Sequence, residues 1–176
     1  NMLDGTLPAI VFNSWILEFI DCSRNLLSGS LPWSLYSAYA LLNLNLHQNI
    51  LTGLLPTRYA PNLIALIYSE NRFTGTLPSS LADLNQLSVL KVQGNRLSGS
   101  LDEAFSSDQI SLLSVDLSNN RFTGSLPSTL FRLPRIETIA MVKNCFSGEL
   151  PAEICTSHTL QIMALDGLAS ACKQRL

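Results

Sequence analysis

An eight-residue phrase recurs seven times along the chain, and its even spacing constrains the fold more than any other feature. The copies begin at Asn1, Asn25, Asn49, Asn71, Asn95, Asn120 and Asn144, so the successive gaps are 24, 24, 22, 24, 25 and 24 residues. A fixed period in the twenties predicts a solenoid in which each copy forms one turn. One turn cannot bury its apolar edge alone, so neighbouring turns must stack.

Each Asn follows a segment with regularly spaced apolar residues. The positions three, five and eight residues before Asn49, for example, are Leu46, Leu44 and Leu41. The alternation predicts a short strand with one face in the core and one in solvent. We therefore expect seven parallel strands, each ending within two residues of Asn25, Asn49, Asn71, Asn95, Asn120, Asn144 or Leu168.

The repeated Asn has a structural explanation. Where a strand ends and the chain turns inward, backbone groups lose their partners, and a buried unpaired group costs about 1–3 kcal/mol. An Asn carboxamide both donates and accepts hydrogen bonds. We therefore predict a buried structural ladder formed by Asn25, Asn49, Asn71, Asn95, Asn120 and Asn144.

The phrase Asn-x-Leu/Phe-Ser/Thr-Gly-x-Leu-Pro closely resembles the plant-specific class of leucine-rich repeats, over residues 1 to about 165. That class includes the ectodomains of plant receptor-like kinases and receptor-like proteins, polygalacturonase-inhibiting proteins, and related algal and protist surface proteins. The resemblance implies an α/β-type solenoid, mostly strand and loop. Its parallel sheet lines the concave face, and short second strands and 3₁₀ turns follow on the convex side.

Two repeats depart from the pattern, and the two chain ends differ from the middle. The repeat from Asn49 is two residues short, and the repeat from Asn95 is one residue long with Asp102 in place of Pro, so we expect local changes of curvature at both. The solenoid is predicted to cover residues 1–168, as part of a longer array. Residues 169–176 are predicted to form a degenerate last turn or cap.

The four cysteines fall into two groups. Cys22 occupies an inward position and is predicted to be a buried free thiol. Cys145, Cys155 and Cys172 cluster near the C-terminal end, where the resemblance implies a cap disulfide and an oxidising compartment. Three cysteines form at most one internal pair, and the 24-residue repeat slightly favours Cys145–Cys172; three ordinary thiols are the alternative.

The sequence offers little for catalysis. Its two histidines, His47 and His158, are predicted to lie on opposite sides of the solenoid, and the familiar catalytic and phosphate-binding motifs are missing. A net charge of −2 with 14% charged residues argues against a nucleic-acid partner. No stretch of the sequence is apolar enough to insert into a membrane. We therefore predict a non-enzyme with no cofactor and no metal site.

Two surfaces are candidates for binding. The first is the polar start of the concave face, where a titrating histidine beside Asp21 would make binding pH-dependent; its residues are Asp21, Arg24, Asn43, Asn45, His47 and Glu70. The second is a cationic edge for an anionic partner, with charges one turn and about 5 Å apart; its residues are Arg72, Arg96 and Arg121. The alternative for both is a solvated face without a ligand.

These features predict a partner-binding ectodomain of a cell-surface or secreted protein, with a protein, peptide or glycan as partner. A structural subunit packed against other chains in a larger extracellular or membrane-attached complex is the alternative. A secreted enzyme inhibitor is a weaker one. Any secretion signal or membrane anchor would lie outside this segment.

Overall fold

Seven short parallel strands, one per turn, form the concave sheet. The computed structural model describes residues 2–165, and strands are numbered here in chain order. The concave strands are β2 (Phe19–Asp21), β4 (Asn43–Asn45), β6 (Ala65–Ile67), β8 (Val89–Lys91), β10 (Ser114–Asp116), β12 (Thr138–Ala140) and β14 (Ile162–Ala164). They lie side by side in chain order. This confirms the predicted solenoid.

The inward positions carry the core. In the turn before Asn49, Leu41, Leu44 and Leu46 are each fully buried, and the corresponding residues of the next four turns are buried as well. Stacking these columns removes apolar surface from water, at about 25 cal/mol per Å². The predicted spacing of the inward residues is therefore confirmed.

The predicted strand ends are wrong. Each concave strand ends four residues before its Asn rather than within two; β4, for example, ends at Asn45. The reason is a left-handed residue directly before each Asn, where φ is between 54° and 69° and the chain turns inward; these residues are Arg24, Gln48, Glu70, Gly94, Asn119 and Lys143. Interturn hydrogen bonds continue beyond the strand, as from Arg24 N to the His47 carbonyl at 2.8 Å.

A second set of strands follows each Asn. These are β1 (Asp4–Thr6), β3 (Leu26–Ser28), β5 (Thr52–Leu54), β7 (Arg72–Gly75), β9 (Arg96–Gly99), β11 (Arg121–Gly124) and β13 (Cys145–Phe146). β1 pairs with β3, and β5 to β13 form a five-stranded sheet. Each strand is displaced by two residues along its neighbour, so that Arg96 pairs with Thr74 rather than with Arg72.

The convex side carries short helices in five turns. Three are 3₁₀ helices (Ala9–Asn13, Trp33–Ser37, Ser79–Asp83) and two are single-turn α-helices (Ser128–Phe131, Glu153–Thr156). The two repeats that depart in sequence, from Asn49 and from Asn95, have only turns at this place. The expected change of curvature there stays a prediction. All helices within residues 2–165 are too short to cross a bilayer.

The Asn side chains tie each turn to the one before it. All six are buried, with 2–8% exposure. Each Oδ1 accepts the N–H located two residues after the preceding Asn of the ladder, as from Phe73 N to Asn95 Oδ1 at 3.0 Å. Each Nδ2 donates to the carbonyl three residues earlier in its own turn. From Asn49 onward it also donates to the equivalent carbonyl of the previous turn.

The cysteines differ in part from expectation. Cys22 is free but only half-buried, so its predicted full burial is wrong. Cys155 is free and exposed, while Cys145 is disulfide-bonded. Cys172, Leu168 and the predicted last turn at 169–176 lie outside the described residues.

Candidate functional site

The concave sheet aligns its outward residues in two straight rows. In the first row Phe19 pairs with Asn43, and Asn43 with Ala65. In the second row Asp21 pairs with Asn45, and Asn45 with Ile67. Adjacent strands lie about 4.8 Å apart, so each row presents its side chains at a fixed and regular spacing.

A continuous chain of hydrogen bonds runs across the first three turns; we call Asp21, Asn45, His47 and Ser69 the polar row. Asn45 Nδ2 donates to Asp21 Oδ2 at 2.9 Å, and Asn45 Oδ1 accepts from His47 N at 3.1 Å. His47 Nδ1 lies 2.8 Å from Ser69 Oγ. The polar row is therefore held in place before any partner arrives.

The structure pairs the His47 ring with Ser69 rather than with Asp21. His47 Nδ1 lies beside Ser69 Oγ, and the Asp21 carboxylate accepts hydrogen bonds from Asn45 Nδ2 and from the N–H of Ser23. Hydrogen bonds from Ser23 and Asn45 hold the pKa of Asp21 below its usual value, with a further contribution from the charge of Arg24. Asp21 therefore offers a fixed negative charge at neutral pH.

A shallow apolar depression of about 260 Å³ lies beside the polar row. Phe19, Asn43, Ala65 and Ile67 contribute to its lining, and Phe19 is 59% exposed. The predicted set included Asn43 but neither Phe19 nor Ile67. Their outward position in the strand is the available signal, because polarity alone does not identify apolar residues that face solvent.

The remaining two predicted residues lie just beyond the ends of their concave strands. Arg24 and Glu70 are exposed and occupy the left-handed position before the ladder Asn of their turns, two turns apart. The Glu70 carboxylate lies over Gly94, and a larger residue at position 94 would require the exposed Glu70 side chain to move. The structure thus brings Asp21, Asn45 and His47 together, with Asn43 beside them, and leaves Arg24 and Glu70 at the margin.

The cationic edge is less dense than predicted. Arg72, Arg96 and Arg121 are exposed, but Arg96 pairs with Thr74 and Arg121 with Ser98. The two-residue displacement puts successive arginines on a diagonal. Their α-carbons are then about 8 Å apart rather than 5 Å, from a strand rise of about 3.3 Å per residue. None of the three forms an ion pair with another residue of the described chain.

Solved structures of other proteins share the fold of this chain. The Leucine Rich Repeat family model matches residues 111–133. The plant peptide hormone receptor RGFR1, solved in complex with RGF2, is 29% identical with a TM-score of 0.87, over 93% of this chain and 27% of that chain. The Arabidopsis receptor kinase HAESA, solved in complex with the peptide hormone IDA and the co-receptor SERK1, is 29% identical with a TM-score of 0.87. That match covers 95% of this chain and 29% of HAESA. No curated protein matches the chain.

The chain is a leucine-rich repeat solenoid of the plant type. A second HAESA structure, of its ectodomain with an extended IDA peptide, is 34% identical over 94% of this chain, with a TM-score of 0.84. The leucine-rich repeat segment spans less than a third of these receptor chains. Within residues 2–165 it has no cluster of side chains suited to a metal ion.

Proposed function

We propose that this leucine-rich repeat segment is a non-catalytic, ligand-binding part of an extracellular or cell-surface ectodomain. We propose further that its ligand is a peptide or a protein segment. Two proteins share its fold over more than nine-tenths of its length: the plant peptide hormone receptor RGFR1, solved with RGF2, and HAESA, solved with the peptide hormone IDA. A rigid, non-catalytic surface suits this task, because repeat solenoids present extended concave faces to their partners.

The observation that carries the proposal is the polar row beside the apolar depression. An extended peptide needs both features: hydrogen-bonding groups for its backbone, and a recess for alternate side chains. Asn45 and Asp21 retain free hydrogen-bonding capacity, and Phe19 offers a broad exposed ring next to them. Because the rows are already fixed by the sheet, binding orders few protein side chains, which lowers its entropic cost.

A peptide selection tests the proposal. A displayed library of random peptides is panned against the segment, and the dissociation constant of the best binder is measured on two triple variants. The first variant is Asp21→Ala, Asn45→Ala and His47→Ala. The matched control is Ser114→Ala, Asp116→Ala and Ser118→Ala, which removes the same kind of turn hydrogen bond, here at 3.0 Å, from the same face.

We expect the first variant to have a dissociation constant at least tenfold larger, which corresponds to a loss of about 1.4 kcal/mol of binding free energy. The control should change it by less than twofold. Equal effects on both variants, or none on either, would place the binding surface elsewhere and remove the support for this proposal.

A second candidate function is attachment to an anionic partner through Arg72, Arg96 and Arg121, as in a structural assembly. The observation in its favour is that these three guanidinium groups are exposed and lack an acidic partner within the described residues. Binding by this edge should weaken strongly between 50 and 200 mM salt, because exposed charges are screened. Binding at the polar row should change far less.

A further inference from the structure

The apolar depression beside the polar row has an aromatic ring and a carboxylate at one end. Phe19 and Asp21 lie two residues apart on the outward face of β2, so their α-carbons are about 6.6 Å apart. Both side chains are exposed, and both contribute to the lining of the depression. Among the described residues of that lining, Asp21 alone carries a charge.

The Asp21 carboxylate can accept a further hydrogen bond. Its Oδ2 accepts from Asn45 Nδ2 and its Oδ1 from Ser23 N, both at 2.9 Å, and the Ser23 hydroxyl also stabilises its charge. A carboxylate offers about four acceptor sites, so these contacts fix its orientation and still leave capacity for another donor. Arg24 acts on Asp21 through its charge, but the two form no ion pair within residues 2–165.

A carboxylate at the same position of the fifth turn has different surroundings. Asp116 lies in the same row as Asp21 and also accepts the N–H two residues further on, from Ser118 at 3.0 Å. However, its partner on the adjacent strand is Lys91, about 4.8 Å away between α-carbons, and β10 has no aromatic residue. The partner of Asp21 is the neutral Asn45. The first-turn carboxylate therefore lacks the neighbouring cation that Asp116 has.

The charges around the first three concave strands act in the same direction. On these strands and their immediate flanks the chain has three exposed carboxylates, from Glu18, Asp21 and Glu70, and a single cation, Arg24. Charges of one sign that surround a recess attract a ligand of the opposite sign. A cationic group is therefore favoured at this end of the concave face.

A side chain that matches these features has a cationic end and an apolar stem. Lysine and arginine both bury their methylene stems on apolar surface and keep the charged end in a polar setting. The guanidinium of arginine is planar and weakly hydrated, and it stacks on aromatic rings. It is also attracted to the face of a ring such as Phe19 within about 6 Å. An exposed ring beside an open carboxylate therefore favours arginine over lysine, whose ammonium group is compact and strongly hydrated.

We propose that this depression is a specificity site for one arginine side chain of a bound peptide. The guanidinium pairs with the Asp21 carboxylate and stacks on Phe19, while the methylene stem crosses β4 and lies against Ala65 and Ile67. The inference rests on the peptide binding proposed for this face, and it adds the residue that anchors the peptide there.

Peptides selected on the wild-type segment from the displayed random library are the probes. We expect arginine in all of the tightest binders. Each binder is synthesised again with citrulline in place of arginine, which removes the charge and keeps the shape, and with lysine, which keeps the charge. Citrulline should raise the dissociation constant at least tenfold, and lysine should raise it severalfold.

Matched variants of the protein locate the contact. Asp21→Asn should raise the dissociation constant of the arginine peptide at least tenfold, while Asp116→Asn should change it by less than twofold. Phe19→Leu should raise it severalfold, whereas Trp33→Leu, which alters an aromatic residue with 73% exposure on the convex side, should leave it unchanged. In Asp21→Asn the change from arginine to citrulline should matter by less than twofold, because the two groups act as one pair.

Three results would overturn the arginine site and leave peptide binding at this face intact. They are tight binders that need the polar row but lack arginine, equal affinity of the arginine peptide and its citrulline or lysine form, and losses from Asp21→Asn and from citrulline that multiply. If no peptide is selected, or if the triple variant of the polar row binds every selected peptide like the wild type, the proposed function fails and the arginine site fails with it. The two failures are therefore distinguishable.

Discussion

Removal of one ladder side chain should expose how the solenoid turns depend on one another. Asn95→Ala deletes three hydrogen bonds of 3.0 Å, from Phe73 N, to the Tyr68 carbonyl and to the Val92 carbonyl, together with a long one of 3.5 Å to the Gln93 carbonyl. The consequences for the three groups at 3.0 Å are unequal. The Tyr68 carbonyl still accepts from Asn71, and the Val92 carbonyl from Asn120, whereas the Phe73 N–H loses the partner that it has in the wild type.

The expected cost follows from this count. An unpaired buried N–H costs about 1–3 kcal/mol, and each bond to a carbonyl that keeps another partner adds about 0.5 kcal/mol. Asn95→Ala should therefore lower the free energy of unfolding by about 2–4 kcal/mol. The exposed Asn85 provides the matched control, since Asn85→Ala removes the same atoms and should cost under about 0.5 kcal/mol.

Urea denaturation followed by circular dichroism measures both variants, and a double variant sharpens the reasoning. Asn71→Ala with Asn95→Ala removes both side-chain donors to the Tyr68 carbonyl, so its cost should exceed the sum of the single costs by about 1 kcal/mol. Asn49 and Asn144 share no acceptor. The loss of unfolding free energy in their double variant should therefore equal the sum of the two single losses. Equal midpoints for Asn95→Ala and Asn85→Ala, or additivity in both pairs, would refute the ladder argument. Gln93, although on the concave face, is unsuitable as a control because its Oε1 is buried and unpaired.

Three further predictions concern single side chains. The half-buried Cys22 should react with a thiol reagent at least tenfold more slowly than the exposed Cys155, because burial and the charge of Asp21 raise the pKa of its thiol; equal rates would contradict the assigned burial. Asp21→Asn should lower the melting temperature at pH 6 but not at pH 2. The stabilisation from a lowered pKa is fully present above the unfolded value of about 3.9 and is lost as the pH falls through the folded value. If Asp21→Asn still melts at a lower temperature than the wild type at pH 2, the ionised carboxylate is not the source of the stabilisation. Gly94→Ala should destabilise the protein by only the roughly 1 kcal/mol of its left-handed conformation, because the exposed Glu70 side chain can move away from the new methyl group. Urea melts in a Glu70→Ala background should show the same cost, and a clearly smaller cost there would show that Glu70 does not move away.

The sequence predicted those parts of the fold that depend on residue type. Inward positions such as Leu44 must be apolar, and the ladder position must both donate and accept, so both leave a periodic mark. The strand ends leave none, because the left-handed position accepts Arg24, Gln48 and Glu70 alike. The two-residue displacement of the second sheet also leaves no pattern in the sequence, because it depends on the tilt of whole strands.

The candidate site was predictable in position but not in detail. Counting outward residues located Asp21, Asn45 and His47 on one face, because the period of a strand is two. The partner of His47 depends on the rotamer of its ring, and the sequence carries no signal for that choice.

The most direct measurement of the central claim is the place where a bound peptide touches the solenoid. Ala65 and Ala140 both face outward on the concave sheet and are both half-buried, three turns apart. Each is replaced in turn by photoreactive benzoylphenylalanine, and the variant is irradiated with the selected peptide. The polar row and its depression predict a cross-link from position 65 and none from position 140. A cross-link from position 140 alone, or from neither position while the peptide remains bound, would contradict binding at the first three concave turns.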